Sequence, residues 1–205
     1  MIILKLKTGR TTETIMNITV STDITPLTTK ENNPITSVTK PIVLQIFRRT
    51  NEVVYAIWNT TAAALDGNLN TEYTNHGICS GYSPLQDECG IKTGFYITFK
   101  SKPFILVQFR MATFQNSPPR DPNTITIEGS NNKESDLVFG TSWTKIYDGD
   151  TSLAKNPGRR VYGGTQTMPN NSLSFASYRI IITSKRGKHN CVSYSEFEMA
   201  GRFPD

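Results

Sequence analysis

Short stretches that favour extended chain, each broken off by residues that reverse a backbone, constrain this sequence most. Strand-like runs fall at 2–7, 14–20, 42–47, 95–100, 104–111, 124–128, 143–147, 178–183 and 193–199. Between them lie Ser117-Pro118-Pro119, Asp121-Pro122-Asn123, Gly129-Ser130-Asn131-Asn132, Asp148-Gly149-Asp150, Asn156-Pro157-Gly158 and Pro169-Asn170-Asn171. Pro presets one backbone angle, Gly and Asn tolerate the left-handed region, and none continues a strand well. Only 53–65 offers a helical turn, and that stretch carries β-branched residues and a sequon. Many short strands with such punctuation predict an all-β sandwich or barrel, not alternating strands and helices.

The chain divides near residue 35. Before it, two strand-like runs lead into STDITPLTTKENNP, a polar, Thr-rich stretch that reads as a linker. A segment of 34 residues cannot bury a core of its own, so 1–34 is expected to be a β-ribbon or arm on a main domain at 35–205. Such an arm adds strands to its own domain or to a neighbouring molecule. Apolar runs such as PIVLQIF are far shorter than the roughly 20 residues of a spanning helix. MIILKLKTGR lacks a basic n-region and a small-residue cleavage site, so no signal peptide is visible in this chain. Secretion stays open.

A net charge of +5 is spread along the chain, densest at Lys185-Arg186-Gly187-Lys188-His189 with doublets at Arg48-Arg49 and Arg159-Arg160. No one element concentrates it with interleaved aromatics, so solvated loops are favoured and nucleic acid is not an expected partner. Cys79 and Cys89 flank the turn-rich CSGYSPLQDEC and are spaced for a disulfide in an oxidising compartment, leaving Cys191 as a buried thiol. Zinc is not expected, because there is no C-x-x-C and His76 and His189 lack paired spacing. Sequons at Asn17, Asn59 and Asn170 are weak support for a glycosylating compartment.

From 35 to 203, roughly four fifths of the chain, the order of motifs resembles the discoidin-like, or coagulation-factor C-type, galactose-binding-like domain family. The matching pieces are ITSVTKPI, AALDGNLNTEYTN, GFYITF, ILVQFRMAT, NSPPRDPNTITIEGSNN, SWTKIYDGD, YRIIITS and SYSEFEMAG. Departures are the insertion carrying Cys79 and Cys89, Tyr73 where many members have Trp, and the N-terminal extension. The resemblance implies a discoidin-like jelly-roll β-sandwich with an N-terminal β-strand extension. Trp143, Tyr147, Phe109, Phe99, Tyr178 and Ile127 are expected between its sheets, whereas Trp58 suits core or surface equally. The Pro118-Pro119-Arg120-Asp121-Pro122 corner reads as structural.

ALDGNLNT brings a carboxylate, a tight reversal and Asn and Thr oxygens together, a compact source of hard ligands for Ca²⁺. Carried over from the family, Asp66 and Thr71 give side-chain oxygens, Leu65 and Asn68 give carbonyls, and Glu196 with the Ser195 carbonyl closes the site. The alternative is a metal-free Asp-Gly turn capped by Thr71.

No H-E-x-x-H, G-x-S-x-G, P-loop or dinucleotide fingerprint occurs, and the chain is not expected to be an enzyme. The resemblance implies a module for a glycan or glycoprotein, extracellular or on a cell or virion surface. Aromatics would stack on sugar faces and polar side chains bond the ring, with weak affinity made useful by multivalency. Candidate loop residues are His76, Tyr82 and Asp87, then Arg159, Arg160 and Tyr162, then Lys185, Arg186, His189 and Asn190. The family's fucose-binding spacing of a His and arginines is absent. A second reading is a structural or adhesive subunit of a filament, coat or virion, self-associating or binding protein through 1–34. Membrane lipid is disfavoured, since only Tyr162 after Arg159-Arg160 suggests an apolar spike beside basic residues.

Overall fold

The computed structural model describes residues 2–8, 12–18, 44–47, 61–99, 102–115, 117–133, 137 and 140–204. The expected linker and Trp58 lie outside them. Among the described residues thirteen strands follow in order: β1 (Ile2–Thr8), β2 (Thr12–Ile18), β3 (Leu44–Phe47), β4 (Tyr73–Asn75), β5 (Gly94–Thr98), β6 (Phe104–Ala112), β7 (Pro122–Ser130), β8 (Thr144–Asp150), β9 (Gln166–Thr167), β10 (Ser174–Phe175), β11 (Ser177–Lys185), β12 (Val192–Tyr194) and β13 (Glu196–Arg202). The helical turn expected within 53–65 is present as one 3-10 turn, Thr61–Ala64.

Two antiparallel sheets form the sandwich. One runs β3-β5-β11-β7-β8; the other runs β10-β6-β13, with β9 also on β6. β4 and β12 make a separate ribbon. β1 and β2 pair from Ile2↔Ile18 to Thr8↔Thr12, and β1 runs alongside β13.

Period-two alternation decides which side chains meet. Phe95 and Ile97 of β5, Ile125 and Ile127 of β7 and Tyr178, Ile180 and Ile182 of β11 face Phe104, Leu106, Phe109 and Met111 of β6 and Phe197 and Met199 of β13. Aromatic rings fill the middle layer: Phe95 and Phe197 meet edge-on with centroids 6.1 Å apart, and Phe197 stacks on Phe109 at 5.5 Å. Each such buried ring contributes about 2–3 kcal/mol by leaving water.

The expected run 193–199 is divided at Ser195. Its N–H donates to the Ala112 carbonyl (3.0 Å) and its hydroxyl to that of Thr113 (2.8 Å), so the chain leaves β4 and joins β6 there. Trp143 is not between the sheets. It lies outside the apolar core and meets Tyr96, whose neighbour across the ladder is Arg179. The Arg179 guanidinium stacks over the indole at 4.7 Å and pairs with Glu128, and the indole N–H donates to the Leu137 carbonyl. An indole has a donor to satisfy, and this outer face supplies an acceptor.

Candidate functional site

β6 ends at Ala112 opposite the start of β13, β11 ends at Lys185 opposite the start of β7, and β8 ends at Asp150 opposite Thr124. The connections 63–72, 76–93, 113–121, 151–163 and 186–191 therefore gather at one end of the sandwich. Most of the residues expected from sequence to bind a metal or a ligand are brought to that end.

The most elaborate connection, between β4 and β5, is closed by a Cys79–Cys89 disulfide. A second clamp comes from β11. Lys185 Nζ donates to the carbonyls of Gln86 (2.7 Å), Asp87 (2.8 Å) and Cys89 (2.7 Å), which supplies three acceptors to an ammonium whose pKa burial lowers. Gly90 then turns the chain back at φ +81°, and a Cβ there would stand 2.3 Å from the Val192 nitrogen, so no other residue fits. Held this way, the loop turns bulky side chains outward: Ile78 is 83% exposed, Tyr82 fully exposed and Leu85 59% exposed. Cys191 is a buried free thiol whose pKa burial pushes up to about 11, so it is protonated at neutral pH.

Against this loop sits a half-buried polar cluster. Arg120 Nε donates to the His189 ring (3.0 Å to Nδ1), and its guanidinium lies 3.8 Å from Glu72. The His189 backbone bridges to Gln86, the Asn190 amide donates to the Gly81 carbonyl (2.7 Å), and the Asn190 carbonyl accepts from His76 Nδ1 (2.8 Å). With Nδ1 donating, His76 keeps Nε2 as an acceptor. Burial first, then the Arg120 charge, holds His189 below its usual range and so neutral at pH 7. The cluster holds donors and acceptors in fixed positions, and the loop bonded to it at Gly81 carries the exposed Tyr82 ring.

The remaining basic candidates go elsewhere. Arg159 pairs with the Asp121 carboxylate, itself 1% exposed, through two bonds of 2.9 and 2.5 Å. Arg186 reaches the same carboxylate at 2.9 Å and also bonds the Leu153 carbonyl. These two arginines brace the loop end from inside, and Lys185 clamps the disulfide loop. Arg160 is exposed in the left-handed region (φ 56°) and bonds Gln115, while Lys188 lies 3.9 Å from Asp87. Tyr162 stands apart. Its ring lies under the Arg110 guanidinium at 3.8 Å and its hydroxyl donates to Glu198 (2.5 Å), on the side of the β6–β13 sheet away from the core.

The Asp66 loop lies beside the first residues of β13. Asp66 Oδ1 accepts from the Asn68 N–H (2.8 Å) and the Thr71 hydroxyl (2.9 Å), and that hydroxyl is also 2.7 Å from the Asn68 carbonyl. Leu65 is buried, and the Ser195 side chain is turned to Thr113. Glu196 is 2% exposed, close enough to Asp66 for the two carboxyls to interact, and its Oε1 is buried without a hydrogen-bond partner. Burial, aided by the Asp66 charge, pushes its pKa up to about 8. A buried carboxyl with an unsatisfied oxygen beside the half-buried Asp66 carboxylate fits a hard cation, which would favour the ionised form of Glu196 and occupy the orphaned acceptor. Among the described residues no group of three or more His, Cys, Asp and Glu side chains that could hold a metal ion converges.

Arg120 and Glu72 were not among the expected binding residues. The corner Pro118-Pro119-Arg120-Asp121-Pro122 reads in sequence as structural, and its 3-10 turn at Pro118–Arg120 also aims Arg120 at His189, more than sixty residues away.

No family model and no curated protein matches the chain. Solved structures do. The F5/8 type C domain of a Bacteroides fragilis protein superposes with a TM-score of 0.53 at 12% identity, covering 77% of this chain and 89% of that one. CBM32-3 from a family 31 glycoside hydrolase of Clostridium perfringens gives 0.51 at 18% identity, covering 78% and 91%. The family 32 CBM of C. perfringens NanJ, solved in complex with galactose, gives 0.50 at 13% identity, covering 77% and 92%. The fold is that of the discoidin-like, galactose-binding-like β-sandwich.

Proposed function

We propose that this discoidin-like sandwich is a non-catalytic glycan-binding module, with its binding surface where the disulfide loop meets the Arg120–His189 cluster. The observation that carries the reading is the fully exposed ring of Tyr82, next in sequence to Gly81, whose carbonyl is bonded by Asn190 of that cluster. A pyranose offers an apolar face to the phenol and hydroxyls to its edge. Arg120 donates to sugar oxygens, His76 Nε2 accepts from a hydroxyl, and Asn190 fixes the distance between loop and cluster. The galactose-bound module that shares this fold supports the ligand class.

Asp66 and Glu196 are proposed to hold Ca²⁺ with the Thr71 hydroxyl and the Leu65, Asn68 and Ser195 carbonyls. The ion would supply positive charge opposite the buried Glu196 and the half-buried Asp66 carboxylates. The residues themselves do the positioning: Gly67 at φ 74° reverses the loop, Thr71 ties its ends, and Glu196 fastens it to the last strand. This role would be structural, since Asp66 and Thr71 bond within their own loop and Glu196 belongs to β13.

Calorimetric titration with galactose, using the wild-type chain and Tyr82→Ala, tests the binding surface. Sub-millimolar to millimolar binding is expected for the wild type, and at least tenfold weaker binding for the variant, with an unchanged melting temperature. Equal binding by both would remove Tyr82 and this surface from the account.

A further inference from the structure

The connections at the loop end divide by charge. Those at 113–121, 151–163 and 186–191 carry Arg120, Lys155, Arg159, Arg160, Arg186 and Lys188 against the one carboxylate of Asp121. Those at 63–72 and 76–93 carry Asp66, Glu72, Asp87 and Glu88 against Lys92. Bonds hold the basic loops together. Arg159 and Arg186 share the Asp121 carboxylate at 2.5 and 2.9 Å, so two guanidiniums meet one negative charge. The Gly187 N–H donates to the Pro119 carbonyl (3.0 Å), tying 186–191 to the corner that carries Arg120. Arg159 also donates to Asn156, the neighbour of Lys155 (2.8 Å). One sign of charge gathered on adjoining loops attracts a ligand of the other sign.

Two of these cations are turned to solvent. Arg160 is exposed and bonds the neutral side chain of Gln115, and Lys155 is exposed. Arg160 also holds a left-handed backbone at φ 56°, two residues after Gly158, where Gly or Asn would be less strained. Strain of this kind persists where the side chain has a use. The glycan cluster adjoins the basic loops through Arg120, which bonds His189 at 3.0 Å and precedes Asp121 in the chain.

We infer that the ligand is an acidic glycan, a galactose-type sugar bearing a sulfate or a carboxylate, with its ring on the Arg120–His189–His76 cluster and its anionic group toward Arg160 and Lys155. This rests on the glycan reading above and adds to it the charge of the sugar. Either anion suits a guanidinium, whose N–H groups bond charged oxygens about twice as strongly as neutral ones.

The test is calorimetric titration of the wild-type chain and of Lys155→Gln/Arg160→Asn with lactose, 3′-sulfated lactose and 3′-sialyllactose, in low and in high salt. Both positions are exposed and Asn suits a left-handed backbone, so the double variant should fold, and circular dichroism and melting check this. The expected result is at least tenfold tighter binding of an acidic sugar than of lactose. High salt and the double variant should each cut that preference at least fivefold, while the variant binds lactose within twofold of the wild type. The tighter of the two acidic sugars identifies sulfate or carboxylate as the group recognised. Acidic sugars bound no tighter than lactose, or a preference that the double variant keeps in full, would overturn the inference. Phosphatidylserine vesicles and a DNA duplex run in parallel, and binding of either as tight as that of the acidic sugars would overturn it as well, showing a general polyanion surface. Lactose bound without an acidic preference removes only the charge, and no sugar bound in any form removes both readings.

Discussion

At the residue scale, two side chains sit where an ordinary folded protein would not put them. Glu196 is a nearly buried carboxylate beside another acid, with an oxygen that nothing in the described chain satisfies. If Ca²⁺ resolves that conflict, calcium at about a hundred times its dissociation constant adds about 2.7 kcal/mol. For a chain of this size that raises the melting temperature by about 5–10 °C. Glu196→Gln should abolish the calcium-dependent rise while leaving the metal-free protein about as stable, because a neutral amide replaces an acid that burial already keeps largely protonated at pH 7. A scanning-fluorimetry shift in the variant equal to that of the wild type would remove Glu196 from the site. His189 is the second case. Its pKa lies below the ordinary 6.5, first through burial and then through Arg120. A depressed histidine is neutral at pH 7 and gains a proton only as the pH falls below its unperturbed value, where the new charge faces Arg120 across 3.0 Å. Glycan affinity should therefore hold from pH 8 to 7 and fall as the pH drops from 6.5 toward 5. Affinity that rises on acidification would show that the neutral ring is not the binding form.

At the scale of elements, the loop from β4 to β5 has two independent fastenings. The disulfide spans ten positions, a constraint worth about 3 kcal/mol, and the Lys185 ammonium binds three carbonyls of the same loop. Neither reduction alone nor Lys185→Met alone should open it. Both together should expose Tyr82 and Leu85 to rapid chymotryptic cleavage. Equally rapid cleavage on reduction alone would show the lysine clamp to be unimportant. Local pattern revealed some of this and hid the rest. The cysteine spacing and the Gly/Pro-rich loop are readable in sequence because a ring closure is a local property. The long strands are readable because alternation over seven to nine residues reports one buried face. β9 and β10, two residues each, are too short for any period to register, and they exist because β6 has edges to pair. Trp143 shows the limit for single residues: a large apolar side chain says that it will be covered, and not by which face.

For the whole molecule, the topology brings five connections to one end, and this is what sequence alone conveys least. Basic residues in 159–160 and 185–190 look equivalent as a string. In three dimensions Arg159 and Arg186 hold Asp121, Lys185 holds a loop, and only His189 and Asn190 join the cluster with His76. Arg120 enters it from a corner whose prolines explain its shape without hinting at its use. Contacts between residues over a hundred positions apart, such as His76 and Asn190, depend on sheet order, which no local pattern encodes. The resemblance to discoidin-like domains predicted a β-sandwich, and the described strands form one.

The central claim is that the loop end recognises sugar, and a glycan array probed with the purified chain, with calcium and with a chelator, tests it most directly. The account predicts a defined set of hits containing galactose-type residues, weakened by chelator and lost in Tyr82→Ala. A blank array from protein shown to be folded and calcium-loaded would contradict it, and would turn attention to assembly through the N-terminal strands.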